Sequence, residues 1–255
     1  MKTIRGALRF TAAMIFVVAC ILSVLLYLQW VRPEKKVGFL RSWCRVLLRI
    51  VGIDLKIEGT VYDKHCLIVA NHISFMDIFG LNVVKPGRFI AKSEIAGWPI
   101  FGRIAKGVDT LFIERKNRRS IVTVNEQISD ALSKKQTIML FPEGRTSVGT
   151  TLLPLRSNLM EPAVMSETPI QPIVLLYREH GMPTTKASYT DLSIFACLWN
   201  IVSSDGLTLT LKVLPVIDPK GKDRREVAAE ASALMSKAMG VVDPMQAMNL
   251  LGKGV

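Results

Sequence analysis

The sequence predicts an α/β fold, a mixed and partly parallel sheet flanked by helices, with an N-terminal transmembrane helix and an amphipathic interfacial helix ahead of it. Three observations carry that expectation. Short runs of β-forming residues alternate with longer segments of helical periodicity, the rhythm of a layered α/β domain. Two of these runs, residues 66–70 (CLIVA) and 137–141 (TIMLF), are apolar almost throughout, as strands buried on both faces are. Residues 10–31 contain no charge at all.

That uncharged block comes first in the chain. At about 1.5 Å per residue it reaches roughly 33 Å, enough to cross the hydrocarbon core of a bilayer. Lys2, Arg5 and Arg9 ahead of an apolar run also describe a signal peptide, and Val18-Ala19-Cys20 resembles a lipoprotein cleavage site. Cys20 lies in the middle of the run, however, and the residues after it stay apolar to Leu28. A cleaved segment is shorter and ends at small residues before a polar stretch, so an uncleaved anchor over residues 1–31 is the expectation. Lys and Arg flank both ends. The expected location is a membrane, as a single-pass or monotopic protein, with the catalytic domain on the cytoplasmic side.

The formal net charge of +12 admits nucleic acid or an anionic membrane surface as partner. Its placement favours the membrane. Arg41, Arg45 and Arg49 recur at every fourth residue and line one stripe of a helix, with Trp43, Val46, Leu47, Ile50 and Val51 filling much of the rest. A basic amphipathic helix over residues 32–52, directly after a spanning segment, suits an interfacial position. A core helix with a solvated basic face fits the same residues. No set of stacking aromatics interleaves the basic residues, so nucleic acid is not expected. The cysteines Cys20, Cys44, Cys66 and Cys197 show no CxxC spacing, which indicates neither a metal site nor a disulfide framework.

Residues 53–240 are expected to form the catalytic domain and residues 241–255 a C-terminal tail. Within the domain, residues 54–58 alternate as a half-buried strand does, and residues 66–70 form a buried strand. A helix over residues 75–84 follows, with Ser74 placed to cap it. Residues 88–91 read as a strand, residues 97–104 as a short helix and residues 110–113 as a strand. Residues 118–133 form an amphipathic helix and residues 137–141 a second buried strand. A short helix near residues 157–165 precedes a strand at residues 170–176. Residues 192–202 are apolar and fit a core helix or a lipid-facing one. Residues 207–216 alternate like a strand, with an edge position one possibility, and residues 225–239 close the domain as a helix of good helix formers.

Three polar clusters each follow a predicted strand directly: Asn71 to Asp77, Glu114-Arg115, and Pro142-Glu143-Gly144-Arg145. In open α/β sheets ligands collect outside the carboxyl ends of the strands, so the clusters point to one site. His72 in the turn before a helix and Asp77 in its first turn can meet, because helical side chains tilt toward the N-terminus. The carboxylate would then fix the tautomer of the imidazole and stabilise the imidazolium, leaving the other ring nitrogen to take a proton. The competing reading is a capping box, in which Ser74-x-x-Asp77 merely satisfies helix N–H groups.

Asn71-His72-x-Ser74-x-x-Asp77 with Phe141-Pro142-Glu143-Gly144 resembles the glycerolipid acyltransferase family, whose best-known members acylate lysophosphatidic acid. Residues 107–115, ending in Arg115, resemble that family's second motif, and residues 169–173 (PIQPI) its fourth, so the likeness covers about residues 60–180. The resemblance implies that His72, partnered by Asp77, removes the proton from a lysolipid hydroxyl. The alkoxide then attacks the thioester of acyl-CoA or acyl-carrier protein directly, with no cofactor and no metal. It further implies that Arg115 binds the acceptor phosphate, since a guanidinium matches phosphate bidentately. Glu143 and Gly144 shape the acceptor site, and Arg145 joins it. In keeping with direct transfer, no serine stands in a Gly-x-Ser-x-Gly elbow.

Two departures from the family pattern matter. Its third motif usually continues Gly-Thr-Arg, whereas here Gly144 is followed at once by Arg145 and then Thr146. That shift leaves open whether Arg145 meets the phosphate or another headgroup. Glu114 stands where an aspartate or asparagine is commoner. Residues 91–99 (AKSEIAGWP) resemble both members acting on lysophosphatidate and members acting on lyso-ornithine lipids. The expected function is therefore acylation of 1-acylglycerol-3-phosphate to phosphatidic acid. A lyso-ornithine lipid acyltransferase is the alternative, and a non-catalytic membrane lipid-binding protein is the alternative of another class.

Overall fold

The computed structural model describes residues 2–26, 33–98, 101–107, 110–113 and 118–250. The apolar N-terminal block forms α1 (Lys2–Leu26), and the basic stripe belongs to α2 (Pro33–Val51). The chain continues as β1 (Ile53–Glu58), β2 (Leu67–Ala70), α3 (Asp77–Val84), β3 (Arg88–Lys92), α4 (Ser93–Ala96), α5 (Phe101–Gly107) and β4 (Leu111–Ile113). Then come α6 (Arg118–Ser133), β5 (Ile138–Leu140), a 3-10 turn (Ser157–Leu159), α7 (Glu161–Met165), β6 (Ile170–Glu179) and β7 (Met182–Pro183). The last elements are α8 (Ile194–Ser203), β8 (Leu207–Val213), α9 (Arg224–Met239) and α10 (Pro244–Leu250).

Among the described residues the strands form one sheet of order β1-β8-β6-β2-β5-β3-β4, with β7 paired to β6. Strands β6, β2, β5, β3 and β4 run parallel, while β8 meets β6 antiparallel and carries β1 parallel to itself. The mixed, partly parallel sheet expected from the sequence is the one observed. Its apolar runs have a simple cause. On β2, Ile68 and Ala70 enter the core shared with α1, α2, α3 and α8. Leu67 and Val69 enter the opposite core with α6 and α9. A strand covered on both faces has no position for a polar side chain.

Two expectations are corrected. The 207–216 segment is not at an edge: β8 lies between β1 and β6, and β1 is the edge. The alternation arises because Thr208 and Lys212 are only half-buried, the latter donating to the Ala238 carbonyl at the end of α9 at 3.2 Å. Partial cover of one face mimics an edge in sequence. Second, α3 begins at Asp77, not at residue 75, and its N-cap Met76 makes no side-chain cap. Ser74 Oγ accepts from the Met76 N–H instead. Within the expected 241–255 tail, α10 (Pro244–Leu250) packs with Met245 buried.

The first half of α1 is fastened to the domain. Arg5 pairs with Asp205 at 2.9 Å, and Arg9 donates to the Ser204 and Val202 carbonyls at the end of α8. Gly6 lies on Ser203, where a Cβ would come within 2.8 Å of Oγ. A cation at a helix C-terminus also meets the negative end of the helix dipole. Arg9→Ala is expected to lower stability by about 1–2 kcal/mol, read as a lower thermal midpoint in detergent; an unchanged midpoint would show that these bonds only replace water. On the far side of α1, Ile4, Leu8, Ile15, Val18 and Leu22 are exposed. The span from Thr3 to Ser23 has mean hydropathy 2.0, long and apolar enough to cross a membrane.

Candidate active site

Parallel pairing decides which loops meet. Val69 of β2 sits opposite Leu140 of β5 and Ala70 opposite Ile173 of β6. The residues after β2 therefore lie beside those after β5, while β6 runs on past both. Asn71 fixes the junction: its buried amide donates to the Leu175 carbonyl at 3.0 Å and accepts from the Leu175 N–H at 2.8 Å. Held this way, the chain turns sharply at His72.

The His72 Nδ1 lies 2.9 Å from Asp77 Oδ2. The same carboxylate oxygen accepts the N–H groups of Ile73 and Ser74, at 2.7 and 2.8 Å. Asp77 Oδ1 accepts from the Tyr177 hydroxyl at 2.8 Å. The two competing readings of Asp77 thus merge, since it both satisfies backbone donors and faces the imidazole. An ionised carboxylate only accepts, so the shared proton sits on Nδ1 and Nε2 is left as an acceptor. Asp77 is fully buried while the His72 side chain retains 20% of its exposure. The imidazole lies flat on Phe141, ring centroids 3.9 Å apart and planes within 11°.

Glu143 supports this turn from the β5 side. Its Oε2 accepts the His72 N–H at 2.7 Å and its Oε1 the Leu153 N–H at 2.9 Å. The His72 carbonyl accepts from the Ser147 N–H at 2.8 Å. The backbone N–H groups of His72, Ile73 and Ser74 are all engaged by side-chain carboxyls, so none of the three is free to face a developing oxyanion. Gly144 has φ +75°, a conformation costly for residues bearing a Cβ. Arg145 beside it is exposed. The structure therefore gathers His72, Asp77, Glu143, Gly144 and Arg145 at one sheet pole. Glu114 and Arg115 lie outside the described residues. Among the described residues no group of His, Cys, Asp or Glu side chains is disposed to hold a metal ion.

Burial dominates the electrostatics. It holds the Tyr177 phenol well above its ordinary range, with the Asp77 carboxylate adding to the effect, so Tyr177 stays a donor. Burial also pushes the Glu143 carboxyl from 4.5 up to about 7, against the two backbone N–H bonds that favour its charge. The folded state then holds this proton more tightly than the unfolded chain does. Stability is accordingly lost as pH rises from 4.5 through about 7, by on the order of 3 kcal/mol once ionisation is complete. Thermal midpoints measured across that window should fall in the wild type and fall less in Glu143→Gln. Parallel slopes would remove Glu143 as the titrating group.

Sequence reasoning named His72, Asp77 and Glu143 but missed Asn71's bridging role, Tyr177 and the Phe141 platform. The chain is similar to several known proteins. A sequence profile described as Acyltransferase matches residues 53–176. A 1-acyl-sn-glycerol-3-phosphate acyltransferase of Neisseria gonorrhoeae is 35% identical over 176 residues, covering 69% of each chain. A lyso-ornithine lipid O-acyltransferase of Pseudomonas aeruginosa is 29% identical over 208 residues, covering 81% of this chain and 80% of that one. The crystal structure of the 1-acyl-sn-glycerophosphate (LPA) acyltransferase PlsC from Thermotoga maritima superposes with a TM-score of 0.68 at 20% identity. It covers 94% of this chain and 97% of that chain.

Proposed function

The chain belongs to the glycerolipid acyltransferase family, and from that premise we propose that it is a lysophospholipid O-acyltransferase whose acceptor is 1-acylglycerol-3-phosphate, giving phosphatidic acid. The observation that carries the chemistry is the contact between His72 Nδ1 and Asp77 Oδ2 at 2.9 Å, with the ring exposed on its other side. The acceptor hydroxyl gives its proton to His72 Nε2, and the alkoxide attacks the thioester carbonyl of acyl-CoA or acyl-carrier protein. Collapse of the tetrahedral species forms the ester and expels the thiolate, which recovers the proton from the imidazolium. Asp77 stabilises the cation that His72 becomes, and Tyr177 holds Asp77 in place.

Acceptor identity rests on likeness to the gonococcal relative. The longer match to the Pseudomonas relative supports a second reading, acylation of lyso-ornithine lipid. Association with the membrane brings the site to its substrate. The exposed apolar stripe of α1 and exposed Phe195 and Trp199 on α8 are suited to the apolar side of a bilayer, and Arg41, Arg45 and Arg49, exposed on α2, to its anionic surface. Placement of the domain on the cytoplasmic side is part of the same proposal.

The test is an assay of the purified protein with several lysolipids against both donors. Transfer to 1-acylglycerol-3-phosphate with kcat/KM at least about tenfold above the other lysolipids is expected, a difference of about 1.4 kcal/mol. Preference for lyso-ornithine lipid would replace the acceptor, and no transfer to any lysolipid would sink the enzymatic reading.

A further inference from the structure

We propose that Arg156, which lies outside the motifs quoted above, binds the phosphate of the lysolipid acceptor; the inference rests on the acceptor reading just given. Arg156 follows Gly144 by twelve residues and lies across the same turn. Its backbone N–H donates to the Pro142 carbonyl at 3.0 Å, and buried Leu155 and Ser157 fix the chain on either side. The side chain is exposed and folds over Gly144. A Cβ built on Gly144 would stand 2.6 Å from Arg156 Nε, 2.7 Å from Cζ and 3.0 Å from Nη2. Only glycine leaves room for the guanidinium there.

The charge around that guanidinium is unbalanced among the described residues. Among the described residues no carboxylate forms an ion pair with Arg156. Glu143, the adjacent acid, has both oxygens committed to the N–H groups of His72 and Leu153. Arg145, also exposed, adds a second cation at the same turn. The Gly144 turn follows directly on the residue that holds the His72 backbone, so an anion bound there is one short step from the reacting hydroxyl. In a 1-acylglycerol-3-phosphate the phosphate is on the carbon next to the one bearing that hydroxyl. The phosphates of a thioester donor are separated from the reacting carbonyl by the pantetheine arm. The position therefore fits the acceptor's phosphate, for which a guanidinium is a bidentate partner.

Steady-state kinetics of the full chain in mixed micelles test this, with wild type, Arg156→Ala and Arg156→Lys. The acceptors are 1-acylglycerol-3-phosphate and the phosphate-free 1-monoacylglycerol, each at saturating donor, and the donor is varied separately. Arg156→Ala is expected to raise KM for the phosphorylated acceptor by about 10- to 100-fold with kcat changed much less. Arg156→Lys should recover part of that loss, and donor KM and the slow rate on monoacylglycerol should stay as in wild type. An unchanged acceptor KM, an equal loss on both acceptors, or a rise confined to donor KM would each overturn the assignment. Wild-type enzyme that ignores 1-acylglycerol-3-phosphate would instead sink the acceptor reading, and the phosphate role of Arg156 with it. A thermal midpoint for each variant separates loss of binding from loss of fold.

Discussion

His72→Ala is expected to lower kcat for acyl transfer by about 10³–10⁴-fold, the range of general base catalysis with its charged intermediate state included, while the protein stays folded. The two halves of that expectation rest on different contacts. Among the described residues the ring is the one group at the junction that both touches the buried carboxylate and retains exposure, so nothing else on the turn can take a proton from an incoming hydroxyl. Structurally the ring is expendable. Its removal leaves Asp77 with the Ile73 and Ser74 N–H groups and the Tyr177 hydroxyl, and leaves the His72 backbone on Glu143 and Ser147. The cost in stability should stay at about 1–2 kcal/mol. Activity with 1-acylglycerol-3-phosphate and circular dichroism on the same preparation check both halves. Transfer within tenfold of wild type would mean that another group is the base.

How much of this was legible beforehand depended on how local each contact is. His72 and Asp77 are a few residues apart, so a spacing argument reaches them. Glu143 follows a continuous apolar strand, and a polar residue at such a strand end stands out. Tyr177 does not stand out. It lies 100 residues from Asp77, directly after the apolar run Ile173 to Leu176 on β6, where it reads as one more core residue. Only the antiparallel neighbour β8 and the extra length of β6 bring its hydroxyl over the turn. Arg156 was hidden for a similar reason: a backbone bond to the Pro142 carbonyl across a loop places its guanidinium over Gly144, and loops leave no periodicity. The sheet itself was readable because burial on both faces writes continuous apolar runs into β2 and β5. The order of strands is written in no single run, and β8 shows the consequence, since its alternation is common to an edge strand and a half-covered interior one.

The second large effect concerns the partner of the base, and two substitutions there should part company. Asp77→Ala removes the acceptor of four donors at once, three of them on Oδ2 and the Tyr177 hydroxyl on Oδ1. Buried N–H groups left without partners cost about 1–3 kcal/mol each, so this variant should lose the fold along with activity. Asp77→Asn is the informative change. Its amide oxygen can keep the three donors on the Oδ2 side, and its NH₂ can face Tyr177, whose hydroxyl can turn from donor to acceptor. The Nδ1 proton and the ring orientation then survive, and what disappears is the negative charge that steadies the imidazolium. At about 4 Å and an effective dielectric constant of roughly 20 that charge is worth about 4 kcal/mol. A drop in kcat of about 10²–10³-fold should follow, with a near-native thermal midpoint and an unchanged acceptor KM. Such a split is what a group acting through the base must give. If Asp77→Asn keeps full activity, Asp77 only caps the turn; if it melts the protein as alanine does, the charge holds the fold and has no separable catalytic role.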